Sequence, residues 1–246
     1  MHRTTRQAPS FDLPAGRVIG GKYEVVSHIG HGWEGEVYRI IERATGAVRA
    51  AKLFHPNRNI RDHAVLFYAR KLERLRDCRM VIQYHHVEQL QVRRSPVTAL
   101  ISEYVEGTRL DRLIAASRGG RLSEFEAMAI LHELACGLEE LHGMGEYHGD
   151  LHAQNILVRR RGIRFDLKLV DFYDRGRGDR RHQKDDLVDC ARLLREMTGG
   201  PRFTAATRSE HLRYLIGGCR SDVISRRFQS AGDLKHHLET FSWPAS

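Results

Sequence analysis

Through the first hundred residues, apolar side chains come in short β-rich runs; beyond Gly107 they recur every third or fourth position. The first pattern suits strands with one face on a core, the second helices with one apolar stripe. "KYEVVSHIG", "GEVYRIIERATG" and "AVRAAKLF", separated by glycines and a Thr-Gly turn, predict three strands between residues 22 and 54. "RDHAVLFYARKLERLRDC" predicts a helix with Val65, Tyr68, Leu72 and Leu75 on one face, and "MVIQYHHVEQLQV" and "VTALISEYV" predict two more strands. A short amphipathic helix follows in "RLDRLIAAS". Ser123 and Glu126 then form a capping box ahead of a long helix whose stripe is Phe125, Met128, Leu131, Leu134, Leu138 and Leu141. "NILVRRRGIRFDLKLVDF" reads as a hairpin turning near Gly162. "DDLVDCARLLREM", "SEHLRYLIGGC" and "SAGDLKHHLETF" read as helices.

The expected organisation is a loose tail over 1–16, a sheet-rich unit with one helix over 17–103, and a mainly helical unit over 104–246. The chain's 246 residues are enough for two such units. No apolar run approaches the ~18 residues of a membrane span, and the first residues lack the apolar stretch of a secretory signal, so no membrane association is expected. Cys78, Cys136, Cys190 and Cys219 lie far apart with no C-x-x-C pair, which predicts free thiols in a reducing, cytoplasmic setting. The fifteen histidines are scattered and show no metal-ligating spacing.

The net charge of +9 could attract phosphate-rich partners. Its runs are short, "VRRRGIR" at 158–164 and "DRGRGDRR" at 174–181, and read as a solvated hairpin tip and a loop. No aromatic residues interleave these arginines, so a nucleic-acid partner is not expected.

Three stretches carry candidate chemistry. "IGHGWEGEV" places Gly30, Gly32, Gly35 and Val37 in a G-x-G-x-x-G-x-V pattern. Glycines let backbone N–H groups approach phosphate oxygens, though such loops also make plain hairpins. Here the loop joins two predicted strands, unlike a dinucleotide fingerprint, which runs from strand into helix. Lys52 follows in an apolar strand, either facing outward or serving phosphate. "YHGDLHAQNIL" spaces His148, Asp150 and Asn155 as H-x-D-x-x-x-x-N, and Asp171 ends the next apolar strand. A carboxylate can accept the proton of a hydroxyl, and an amide oxygen with a second carboxylate can hold a divalent cation. Taken singly, these favour a capped turn and a strand-end aspartate.

In this order the motifs resemble the protein kinase superfamily, especially compact bacterial Ser/Thr-kinase-like enzymes, over about Lys22 to Leu238. The resemblance implies an α+β, bilobal protein-kinase-like fold and an ATP- and Mg²⁺-dependent phosphotransferase. Lys52 would contact the α/β-phosphates beneath a lid of Gly30, Gly32, Gly35 and Val37. Ala50, Glu103 and Val105 would complete the nucleotide pocket, with Ser102 at its back. Asp150 would be the catalytic base, Asn155 and Asp171 the Mg²⁺ ligands, and Asp186 the brace of the catalytic loop. The implied acceptor is a Ser or Thr hydroxyl of a protein substrate. "HGDLHxxN" is also reminiscent of small-molecule phosphotransferases, and a nucleotide-binding scaffold without transfer is the non-enzyme alternative.

The sequence departs from that family at several points. Gly149 replaces the arginine that usually precedes the catalytic aspartate and pairs with an activation-loop phosphate, and residues 172–197 contain no Ser or Thr. No Ala-Pro-Glu motif follows Asp171, which leaves Arg227 without its usual glutamate. His152 stands in for a lysine, and Tyr173 for the glycine of Asp-Phe-Gly. The helix position that normally supplies a glutamate to the lysine holds Tyr68. Glu73 is the nearest acidic residue but lies off the inward face, so the expected partner of Lys52 is Glu73 or none.

Overall fold

The computed structural model describes residues 10–93, 95–173, 176, 179–200, 209–217 and 227–241. They form two compact units. One takes in the chain to Asp77 and Ile82–Val105; the other takes in Cys78–Val81 and the chain from Glu106.

In the first unit, β1 (Val18–Ile19), β2 (Tyr23–His31), β3 (Gly35–Glu42), β4 (Val48–Phe54), β5 (Tyr84–Val92) and β6 (Ser95–Glu103) form one sheet. Its order is β1-β2-β3-β4-β6-β5, with all neighbours antiparallel. Alternation sends Tyr38 and Ile40 of β3, Ala51 and Leu53 of β4, and Val97, Ala99 and Ile101 of β6 into one core with Tyr23 and Val25. On β6 both faces are covered, and Val97–Ser102 is a continuous buried run. Helix α1 (His63–Arg74) packs on β5 and β6, with Val65, Tyr68 and Leu72 buried as its spacing predicted.

Two boundaries differ from the sequence expectation. Residues 10–13, assigned to a loose tail, are held against the sheet: Phe11 is buried, its N–H donates to Glu36 Oε1 at 3.1 Å, and its ring stacks on His55. The predicted strand at 80–92 starts only at Tyr84. Before it, Met80 O accepts from Leu169 N–H at 2.7 Å, which ties residues 78–81 to the second unit.

The second unit holds β7 (Thr108–Arg109), β8 (Ile156–Arg161) and β9 (Arg164–Leu169) in a small sheet. Among the described residues its α-helices are α2 (Leu110–Ala116), α3 (Glu124–Gly143), α4 (Arg180–Met197), α5 (Glu210–Gly217) and α6 (Ala231–Thr240). The Ser123–Glu126 capping box is formed at the start of α3. Met128, Leu131, Leu134, Leu138 and Leu141 are buried where α3 packs on α4, α6 and β9. Phe125, assigned to the same stripe, is 55% exposed. The hairpin arginines meet carboxylates, Arg160 with Glu126 at 2.8 Å and Arg159 with Glu106 at 3.8 Å, as a solvated tip would. Of the second basic run, only Gly176 and residues 179–181 lie among the described residues.

Candidate active site

In the first unit the glycine loop joins β2 to β3 as a hairpin, with Gly30 opposite Val37. Gly35 is sterically required: a Cβ there would lie 2.0 Å from Leu53 O on β4. Gly32 has open space around it, so its tolerance matters to the loop rather than to packing. Register places Val37 opposite Lys52, and Ala50 lies two residues before Lys52 on the same face of β4. Glu103, opposite Arg49, ends β6; its Oε1 accepts from Gln83 N–H at 2.9 Å. Val105 closes this unit and is half-buried.

Lys52 Nζ lies 2.9 Å from Glu34 Oε2 and 4.2 Å from the centroid of the Tyr68 ring. The same carboxylate oxygen accepts from the Tyr68 hydroxyl at 2.9 Å. Glu73 instead pairs with Arg76 at 3.2 Å on the exposed side of α1. The expectation of Glu73 or no partner is therefore corrected to Glu34, which sits within the glycine loop itself. Sequence spacing carries no signal for this pair, because strand register and the Tyr68 hydroxyl bring it together. Residue 34 immediately precedes Gly35, which pairs with Phe54, and Glu34 O accepts from His55 N–H at 2.8 Å.

In the second unit Asp186, fully buried on α4, organises the loop after α3. Its Oδ2 accepts from His148 N–H and its Oδ1 from Gly149 N–H, both at 2.9 Å, and His142 Nε2 lies 3.0 Å from Oδ2. Burial alone would push this carboxyl up. The His142 hydrogen bond, the nearby His148 and the two backbone donors outweigh it, so its pKa lies below the ordinary carboxylate value. His148 is buried, its Nε2 3.0 Å from Val170 O, and its ring packs on Phe172.

Asp150 is thereby carried on an anchored backbone with its side chain half exposed, at 51%. Asn155 Nδ2 donates to Asp150 O at 2.9 Å and approaches its Oδ2 at 3.5 Å. His152 Nε2 lies 3.4 Å from the same Oδ2. Val170 N–H donates to Asn155 O at 3.0 Å, so Asp171 follows directly from the strand that Asn155 fastens. Asp171 adopts a left-handed φ of 57°, a conformation an aspartate tolerates but does not prefer. Asp150, Asn155 and Asp171 thus come from one hydrogen-bonded segment.

The protein kinase domain family matches residues 23–206, most of the chain. The chain belongs to the protein kinase family. Curated relatives include CBL-interacting protein kinase 30 of Oryza sativa subsp. japonica, 32% identical over 158 residues, 63% of this chain and 31% of that protein. CBL-interacting serine/threonine-protein kinase 8 of Arabidopsis thaliana is 32% identical over 153 residues, 62% of this chain and 33% of that protein. The chain thus spans about a third of the length of these relatives. The PknI kinase domain of Mycobacterium tuberculosis superposes with a TM-score of 0.67 at 19% identity, over 92% of this chain and 98% of that one. At that identity the likeness shows the kinase fold.

The stretch between Asp171 and the next helix is short. Helix α4 begins at Arg180, with Asp179 Oδ1 capping the N–H groups of Arg181 and His182, and Asp186 lies on this same helix. Few residues remain between Asp171 and the helix for an acceptor-docking platform. Arg227, expected to lack a partner, donates to Tyr214 O and lies 4.2 Å above the Tyr214 ring.

Proposed function

We propose that this kinase-family chain transfers the γ-phosphoryl group of ATP to a Ser or Thr hydroxyl of a protein, with Mg²⁺. The observation that carries the proposal is the loop bound to Asp186, which holds Asp150 and Asn155 on one anchored backbone. Asp150 accepts the hydroxyl proton as the acceptor oxygen attacks, and His152 and Asn155 hold its carboxylate in place. The Asn155 amide nitrogen is engaged within the loop, which leaves its oxygen for a cation beside Asp171. One amide and one carboxylate suit Mg²⁺, which takes its remaining ligands from water and substrate phosphates. Mg²⁺ when bound would neutralise the charge that develops on the phosphates. Lys52 serves the phosphates, and Gly30, Gly32, Gly35 and Val37 cover them. Ala50, Glu103 and Val105 belong to the nucleotide pocket.

A second reading, transfer to a small-molecule hydroxyl, is favoured by one feature, the few residues between Asp171 and α4. The scaffold reading depended on a Lys52 without a carboxylate and loses support from its 2.9 Å contact with Glu34.

The deciding experiment is ATP turnover with a panel of acceptors, followed by phosphoamino-acid analysis. Asp150→Asn should cost about 10²–10⁴ in rate. Phosphoserine or phosphothreonine in the product supports the first reading, and a phosphorylated small molecule with unlabelled protein supports the second. Equal rates in wild type and variant remove Asp150 from the mechanism.

A further inference from the structure

Protein kinases orient the phosphate-binding lysine with a glutamate from the helix that packs on the sheet, and the two must both be in place for transfer. At that helix position this chain has Tyr68, and its nearby Glu73 faces away. The structure supplies another carboxylate. Glu34, two residues before the buried Glu36 in the glycine loop, reaches Lys52 Nζ at 2.9 Å, and the Tyr68 hydroxyl donates to the same Oε2 at 2.9 Å. The Tyr68 ring underlies the ammonium at 4.2 Å, and the Phe54 ring lies at 5.2 Å. The helix therefore still contributes to the lysine, but through a hydroxyl and a ring face rather than a charge.

From this geometry we infer that Glu34, held by Tyr68, is the positioning residue for Lys52, replacing the helix glutamate with a carboxylate carried by the glycine loop. The inference rests on the reading of Lys52 as a phosphate ligand. Its physical basis is that a lysine on a four-carbon stem loses rotamer freedom only when its ammonium is fixed by specific partners. Here two faces are fixed, one by Oε2 and one by the aromatic ring. The backbone of Glu34 is itself pinned, since its carbonyl accepts from His55 N–H at 2.8 Å next to the Gly35–Phe54 pairing. Lys52 and Glu34 are 15% and 29% exposed, so solvent screens the pair partially and orientation matters more than stability. One consequence separates this arrangement from the usual one. Motion of the glycine loop and orientation of the lysine are coupled, so a loop displaced from β3 and β4 also releases Lys52.

The test compares wild type with Glu34→Gln, Tyr68→Phe and the double variant Glu34→Gln/Tyr68→Glu, which returns a carboxylate to the helix. Without nucleotide, the rate at which Lys52 is acylated by an amine-reactive reagent is read by mass spectrometry. An ion-paired ammonium is a poor nucleophile, so Glu34→Gln is expected to speed acylation several-fold and Tyr68→Phe to a lesser degree. In turnover, Glu34→Gln is expected to lower kcat about ten-fold with a smaller change in KM for ATP. Tyr68→Phe should act in the same direction, and the double variant should regain part of the loss. Unchanged acylation and kcat in Glu34→Gln overturn the inference while leaving the phosphate-site reading intact. A rise in kcat with tighter ATP binding also overturns it, since Glu34 would then be an obstacle rather than a support. A wild type that neither binds nor turns over ATP overturns the phosphate-site reading itself.

Discussion

At the scale of single residues, Gly149 explains itself through its backbone. Its φ is +83°, and a Cβ would lie 2.9 Å from Tyr147 Cε2 and 3.2 Å from Tyr173 O. Tyr147 cannot easily yield, because its hydroxyl donates to Gly176 O at 2.9 Å and its ring stacks on His182. Gly149→Ala should therefore cost about 1–3 kcal/mol in urea denaturation, from strain at positive φ and crowding. Asp186 is the opposite case, a charge whose surroundings favour it. Removing it as Asp186→Ala leaves two buried N–H groups without acceptors and should cost about 3–5 kcal/mol. Its folded pKa lies below the unfolded value, so its contribution is complete above about pH 4 and fades as pH falls through the folded pKa. The stability gap between wild type and Asp186→Asn should be flat at neutral pH and close under acid. A gap that widens in acid would show that Asp186 is not held ionised by His142 and the loop.

At the scale of elements, legibility followed local periodicity. The α1 face of Val65, Tyr68 and Leu72 and the α3 stripe from Met128 to Leu141 are buried because spacing and packing agree. Phe125 fits the same spacing yet is exposed, since periodicity marks a face but not where its covering ends. Leu134→Ala should therefore cost about 2–5 kcal/mol, whereas Phe125→Ala should lie within about 0.5 kcal/mol, both by equilibrium unfolding. Helix α4 starts at Arg180, five residues before the start that the sequence predicts, because Gly and Arg ahead of it look like loop and the cap at Asp179 shows only in its hydrogen bonds. In the candidate site, the spacing of Asp150, Asn155 and Asp171 was readable because one continuous segment holds them. Glu34 was not readable, because its link to Lys52 depends on strand register and on a tyrosine from another element.

At the scale of the whole molecule, the question is how such a kinase would be controlled. An activation segment switched by phosphate needs a hydroxyl to modify and an arginine to receive it. From Phe172 to Met197 the one hydroxyl is that of Tyr173, and the usual arginine before Asp150 is Gly149. The Tyr173 backbone N–H donates to His148 O at 3.1 Å while its side chain is 57% exposed, so the backbone contact does not depend on the ring hydroxyl. The segment therefore offers one exposed hydroxyl and no arginine before Asp150 to receive its phosphate, while Asp186 accepts from the backbone N–H groups of His148 and Gly149. The chain should be active as synthesised. Tyr173→Phe and phosphatase-treated protein should both keep the wild-type kcat, measured against the same acceptor. A large drop in either would show that a phosphate on Tyr173 or elsewhere completes the site, and would return this chain to the phosphate-switched kinases from which its sequence departs.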